Sequence, residues 1–243
     1  MKKALVIIGI CVLAGYLIFA AFYFQDKPKD DVCSKFEVVV NNNENGQFIN
    51  PDEIAKQVTD KGLNPAGKQI SEINTYAIEK LIKSNQLIKK VEVFVANNNS
   101  VKAVIDERKP VLRIISNNGR NYYIDEEGAV MPLSHRSTAY LPVATGSIKE
   151  ELARGDLYKF ALFLRNNEFW NAQIEQIVVE SNQDITLIPR VGDQRIVMGR
   201  LTDYEEKLDK LMTFYIKAQN ENGWNKYSTL NLKYNKQVVG TKR

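Results

Sequence analysis

Residues 91–105 read VEVFVANNNSVKAVI, and they settle the architecture of the first half of the chain. Val91, Val93 and Val95 alternate with other residues, Asn97-Asn98-Asn99 supplies a turn, and Val101, Ala103 and Ile105 alternate again. A period of two on both sides of a polar turn predicts a β-hairpin with one face buried. Upstream, Ile73, Ala77, Ile78, Leu81 and Ile82 recur at three- and four-residue spacing, which predicts a helix over 74–84. Before that, Asn50-Pro51-Asp52-Glu53 combines an N-cap, a proline at the first helical position and a capping-box glutamate, and Gly62 ends the helix they begin. Phe36–Val40 is β-prone. The order β-α-α-β-β packs two helices on one face of a three-stranded sheet and leaves at least one strand edge for pairing with another chain. The tracts Asn41-Asn42-Asn43 and Asn97-Asn98-Asn99 read as turns.

The second half opens at Glu107-Arg108-Lys109-Pro110, where Pro110 has no N–H to give to a ladder and so suits a strand boundary or an edge. Short strands are expected at Val111–Ile115, at Tyr122–Ile124 running into the turn Asp125-Glu126-Glu127-Gly128, and at Leu141–Val143. A helix over Glu151–Asn166 carries Leu157, Phe160, Ala161 and Leu164 on one face. Strands follow at Gln176–Glu180, Ile185–Ile188 and Arg195–Met198, with Pro189–Asp193 turning between the last two. Thr202-x-x-Glu205 reads as the capping box of a final helix whose buried stripe is Tyr204, Leu208, Leu211, Met212, Tyr215 and Ile216. One last strand, Lys226–Val239, puts Leu230, Leu232 and Tyr234 on a shared face. The fold class is therefore α+β: a small β-α-α-β-β unit, then a mixed β-sheet domain with two helices.

Ahead of both units lies Ala4–Phe24, ALVIIGICVLAGYLIFAAFYF, 21 residues without a charge or a proline. At about 1.5 Å per residue a helix of that length crosses a hydrocarbon core of roughly 30 Å. A cleaved signal peptide would have a shorter apolar run ending in a small-residue site, whereas here Ala20-Ala21 runs on into Phe22-Tyr23-Phe24. Ile10 before Cys11 does not fit a lipoprotein site. Lys2 and Lys3 place the amino terminus in the cytoplasm, and Tyr16, Phe19, Phe22 and Tyr23 form an aromatic belt toward the outer end. The segment lacks a charge and a GxxxG pattern, so it reads as an anchor. The charged, proline-containing stretch Gln25–Ser34 reads as a tether.

The chemistry available to the remaining residues is narrow. The 243-residue chain has 33 basic and 29 acidic residues, one histidine and two cysteines. That balance gives no basic stripe for nucleic acid. Cys11 lies within the span and Cys33 outside it, so neither a disulfide framework nor a Cys/His metal cluster can be assembled. His135 sits in the polar loop Ser134-His135-Arg136-Ser137, a solvated turn and a poor place for a catalytic base. Glu126-Glu127 and Glu205-Glu206 are adjacent pairs whose side chains diverge, and they read as solubilising charges. With no phosphate loop and no HExxH, the expectation is a protein that is no enzyme and holds no cofactor.

Taken in order, these segments resemble the bacterial cell-division family FtsQ/DivIB. A single amino-terminal span leads to a POTRA-type β-α-α-β-β unit, with Leu81–Asn85 and Ile88–Val91 in place of the family's helix-to-strand segment. The joint follows as Glu107-Arg108-Lys109-Pro110-Val111-Leu112-Arg113-Ile114, and the hydrophobic-D-x-x-G hairpin as Tyr123–Gly128. The L-P-x-hydrophobic-x-G signature is Leu141–Gly146. Ile196–Arg200 precedes the last helix, and Asn231-Leu232-Lys233-Tyr234 resembles the family's D-L-R-Y.

The resemblance implies a three-residue cytoplasmic tail (1–3), a transmembrane helix (4–24), a tether (25–34), a POTRA-like domain (35–107) and a β domain (108–243). It implies a cytoplasmic (inner) membrane protein of the division septum, single-pass, with the bulk of the chain outside the cytoplasm. Its role would be a divisome scaffold that links early and late division proteins and engages the FtsB–FtsL pair, with other divisome components meeting the POTRA-like domain. The family's main contact is the last strand and the helix before it, and it carries over to Lys233, Tyr234, Asn235, Lys236, Gln237 and Val238. Tyr234 is then either an aromatic anchor at the strand or a core residue beside Leu230 and Leu232. The physical route is strand addition, in which a partner pairs its backbone with an open edge. The alternative is an envelope assembly or transport scaffold that merely carries a POTRA module; such proteins ordinarily have repeated POTRA units or a barrel, for which 243 residues leave no room.

Overall fold

The computed structural model describes residues 12–20, 31–41, 47–219 and 226–243. Residues 12–20 are helical, and Val12, Leu13, Tyr16, Leu17, Ile18 and Phe19 are all more than half exposed, an apolar surface on every side of the helix. The rest of the expected span, 4–11 and 21–24, lies outside the described residues. Among the described residues no helix is long and apolar enough to cross a membrane.

The first sheet has the strand order β1-β3-β2, with β1 at Phe36–Val40, β2 at Ile88–Val95 and β3 at Val101–Glu107. β1 and β3 are parallel, which the two intervening helices make possible, and β2 and β3 form the expected hairpin. α1 (Pro51–Asp60) starts as its sequence requires: the Asn50 side chain accepts from the Asp52 N–H with Pro51 at the first position. α2 (Thr75–Lys83) is capped by Asn74, which accepts from the Ala77 N–H. Ile54, Val58, Ile78 and Ile82 from the helices meet Ile88, Val91, Ala103 and Ile105 from the sheet in one core.

The tether is shorter than its composition suggests. Cys33 is buried, its N–H bonds the Lys68 carbonyl, its carbonyl accepts from Gly67, and Ile70 donates to Asp31. Residues 31–34 are thus docked on the loop before α2, because Val32 and Gln69 bridge there. Asn42 and Asn43, read as a turn, lie outside the described residues, while Asn41 extends the β1 pairing by donating to Ile105.

Among the described residues the second sheet has nine strands: β4 (Pro110–Ser116), β5 (Asn121–Asp125), β6 (Val130–Met131), β7 (Val143–Gly146), β8 (Ile174–Val179), β9 (Ile185–Pro189), β10 (Arg195–Gly199), β11 (Tyr227–Asn231) and β12 (Val239–Lys242). Their order is β12-β11-β10-β9-β8-β7-β4-β5-β6, a mixed sheet with parallel pairs at β4/β7, β7/β8 and β10/β11. The strand expected at Leu141–Val143 begins at Val143 instead, after Pro142. The helix expected over Glu151–Asn166 is interrupted: a turn at Glu150–Leu152 passes through a π-helical segment, Ala153–Leu157, into α3 (Tyr158–Arg165). A third, short helix, α4 (Glu168–Gln173), exceeds the two expected, capped by the Asn167 side chain on the Trp170 N–H.

The last helix, α5 (Tyr204–Gln219), starts one residue later than a Thr202 capping box requires. Asp203 stands at φ +53° and its carbonyl accepts from Lys207, so Asp203 occupies the cap position. Leu208, Leu211 and Tyr215 are buried as expected, but Ile216 is 60% exposed and does not belong to the stripe.

The two sheets meet at a bonded joint. Glu107 at the end of β3 is buried, and its Oε1 accepts from the N–H groups of Phe48 at 2.9 Å and Ile49 at 2.7 Å. Arg108 donates to Asp125 Oδ2 at 2.6 Å, and Asp125 Oδ1 accepts from Glu127 and Ala129, which closes the turn after β5. Lys89 bridges to Glu126 and Glu127, and its ammonium is held above the ordinary value by the bond to Glu126 and then the bond to Glu127. A small core of Phe48, Tyr123, Met131 and Ala139 lies between the sheets, and Ser134 donates to the Phe48 carbonyl.

Candidate partner-binding edge

Strand order alone makes β12 the outer strand of the large sheet: β11 pairs with it on one side, and among the described residues no strand pairs with it on the other. A short edge strand of this kind presents a row of backbone donors and acceptors to whatever approaches. The hairpin that carries the edge is held at its loop and at its carboxyl end. Lys233 Nζ meets Asp184 Oδ2 at 2.8 Å on the β8–β9 turn, and Arg243 meets Asp193 Oδ2 at 3.1 Å on the β9–β10 turn. The Arg243 N–H also bonds the Lys226 carbonyl.

The helix before the edge completes the surface. Lys210 on α5 donates to the Tyr234 carbonyl at 3.0 Å, and Phe214 packs edge-on against Tyr227 of β11 with ring centroids 5.5 Å apart. Lys207 donates to the Arg200 carbonyl, and burial holds its ammonium below the ordinary value. Gly199 ends β10 at φ +74°, a left-handed conformation suited to glycine, and a β-carbon there would stand 2.9 Å from Lys233 Cγ. The Lys233 stem thus passes over Gly199 to reach Asp184, which gives a physical reason for glycine in the Ile196–Arg200 motif.

The residues expected to bind a partner fall differently from the sequence reading. A single strand over Lys226–Val239 does not form: β11 ends at Asn231, Leu232 still donates to the Val197 carbonyl, and Lys233–Val238 make the loop of a β11–β12 hairpin. The cause is local, since Asn231 accepts from the Lys233 N–H through its side chain and Lys236 sits at φ +60°. Lys233, Tyr234, Asn235, Lys236 and Gln237 are exposed and adjoin one another in that loop, while Val238 turns partly into the core. Tyr234 is 49% exposed and does not join Leu230 and Leu232, which are buried. Sequence reading missed Gly240, Thr241 and Lys242 as a strand and Asp184 as a clamp; the polar run Asn231–Gln237 was the signal for a hairpin turn.

His135 lies on the exposed rim of a cleft of about 420 Å³ beside Arg136, Glu53 and Asn50, away from this edge. Among the described residues no group of three or more His, Cys, Asp or Glu side chains could hold a metal ion.

Two family models match the chain. One, described as FtsQ/DivIB, C-terminal related, covers residues 109–241, more than half of the sequence. The chain belongs to the FtsQ/DivIB family. The other model, a POTRA-like domain, covers residues 31–106 and so takes in the docked residues 31–34. No curated protein matches the chain. Membership in FtsQ/DivIB makes it a relative of non-enzymatic cell-division scaffolds associated with the membrane and the division septum. The joint between the two matches falls at Arg108, where the Arg108–Asp125 and Lys89–Glu126 contacts tie the FtsQ/DivIB-related sheet to the POTRA-like one.

Proposed function

We propose that this protein is a membrane-anchored divisome scaffold that links early and late division proteins by binding partners of the FtsB and FtsL type at β12. The observation that carries the reading is the outer side of β12, against which no described strand pairs, in a hairpin clamped through Lys233–Asp184 and Arg243–Asp193. A partner segment adds a strand there, its backbone completing the ladder and its side chains meeting the hairpin loop Lys233–Val238 and α5. Tyr234, half exposed beside the edge, supplies contact area at small entropy cost. Ala4–Phe24 anchors the chain with its amino terminus in the cytoplasm, supported by the charge-free run and by the apolar surface of residues 12–20. The POTRA-like unit is then free to meet other divisome components.

The test is co-purification of the full-length chain with FtsB- and FtsL-type proteins from the same cells. Removal of Val239–Arg243 should abolish capture, and Tyr234→Ala should weaken it about tenfold or more, the range of an interface hot spot. Full capture by both variants, with the fold intact by circular dichroism, would overturn the edge as the contact.

A further inference from the structure

Chain direction fixes which end of the POTRA-like unit lies nearest the bilayer. β1 and β3 are parallel and both run toward the joint, where Val40 pairs with Ile105 just ahead of Glu107. The start of β1 therefore lies at the far end, together with the turn at Asn97–Asn99 whose Asn99 carbonyl accepts from Ser34. α2 returns to the joint, since Leu87 beyond its end accepts from Arg108. Its first residues, Thr75 and Tyr76, are thus at the far end as well, a few residues from Ile70, which donates to Asp31.

Because Asp31 is docked, six residues, Gln25–Asp30, join it to Phe24. Fully extended, the seven Cα–Cα steps from Phe24 to Asp31 reach about 25 Å. If Ala4–Phe24 spans the membrane, as proposed above, this end of the domain stays within that distance of the outer surface whatever path the six residues take. There Tyr76 is 71% exposed and Val32 is 51% exposed. Tyr76 is the second residue of α2, and helical side chains lean toward the amino-terminal end, here toward the bilayer. The charges at this end balance, Lys35, Lys61 and Lys68 against Asp31, Asp60 and Glu72, so attraction to anionic headgroups does not explain an exposed aromatic. Tyrosine is a side chain that settles at the membrane–water interface, ring in the apolar boundary and hydroxyl in water.

We infer that the end of the POTRA-like unit bearing Val32 and Tyr76 rests on the lipid headgroup layer of the outer surface. The inference rests on the reading of 4–24 as a span. Its test uses the full-length chain in phosphatidylcholine vesicles, with a benzophenone amino acid replacing Tyr76 in one sample and Tyr140 in another. Tyr140 is 81% exposed in the loop before β7, on the far side of the joint. After irradiation, lipid adducts should be at least fivefold more abundant at 76 than at 140. Equal yields from a chain that resists carbonate extraction would overturn the headgroup contact and leave the span standing. Release of the chain by carbonate would overturn the span, and the contact with it.

Discussion

Tyr227 of β11 lies across Gly240 of β12: a β-carbon at position 240 would stand 2.5 Å from the ring. The same ring packs on Phe214 of α5, so helix, inner strand and edge strand share one aromatic contact. Glycine in a strand ordinarily weakens it, and an aromatic from the neighbouring strand covering the gap compensates. Gly240→Ala should therefore destabilise the chain by roughly 1–3 kcal/mol, the range for overpacking. In a Tyr227→Ala background the same change should be neutral or mildly stabilising, because alanine costs less conformational entropy than glycine. Urea unfolding of the four proteins measures both values, and equal effects in the two backgrounds would show that the ring does not constrain position 240.

The Glu107 carboxylate fixes the segment before α1 to the end of β3 by accepting two buried N–H groups on one oxygen, from Phe48 and Ile49. Glu107→Ala leaves both donors unsatisfied, at roughly 1–3 kcal/mol for each buried group. Glu107→Gln keeps a carbonyl oxygen at the same reach and should lose much less. The midpoint of thermal unfolding should thus fall in the order wild type, Gln, Ala. A Gln variant as unstable as the Ala variant would shift the weight from these two bonds to the charge.

Cys33 is 1% exposed and its thiol donates to the Lys35 carbonyl at 3.3 Å. In a Cys11→Ala chain, Cys33 should resist maleimide in the folded state and react fully in urea. The protection should end with the unfolding of the POTRA-like core, because residues 31–34 are docked on the loop before α2. Rapid labelling without denaturant would show that those residues detach on their own.

The parts of this fold that were legible in the sequence are those where periodicity and caps act locally. The hairpin of Val91–Ile105, the Asn50–Pro51 helix start and the stripe of Ile78 and Ile82 need only their neighbours to be read. What was not legible depends on partners distant in sequence. The docking of Cys33 requires Gly67 and Lys68, and the hairpin loop at Lys233–Val238 is stabilised by Asp184, 49 residues away. The start of α5 slipped by one because Asp203 adopts a left-handed backbone that no capping pattern announces. Alternation placed Tyr234 on the face of Leu230 and Leu232, but alternation fails where the strand itself ends at Asn231. The candidate edge followed from chain order, while its position in β12, beyond the residues first favoured, followed from strand pairing.

The clamp between Lys233 and Asp184 makes the edge sensitive to acid. The Asp184 carboxyl lies below its ordinary value of 3.8, first through the hydrogen bond from Lys233, which outweighs the opposing effect of burial, and then through the charges of Lys233 and Arg200. A carboxyl whose pKa is depressed by folding stabilises the fold above its unfolded value and loses that contribution as pH falls through the folded one. The edge should hold at neutral pH; the clamp's contribution begins to fall below the unfolded value of about 3.8 and is lost as pH drops through the lower folded value, where Asp184 takes up its proton. Lys233→Met should move the Asp184 titration midpoint upward, followed by the carboxyl carbon shift in NMR. Global stability at pH 7 should change by no more than about 1 kcal/mol, since the pair is partly exposed. Amide exchange in Val239–Lys242 should quicken in the Met variant at pH 6, and after correction for intrinsic exchange the wild type should approach that rate once its Asp184 is protonated. An unchanged Asp184 midpoint in Lys233→Met would mean that Arg200, 3.8 Å from the other carboxylate oxygen, sets the value instead.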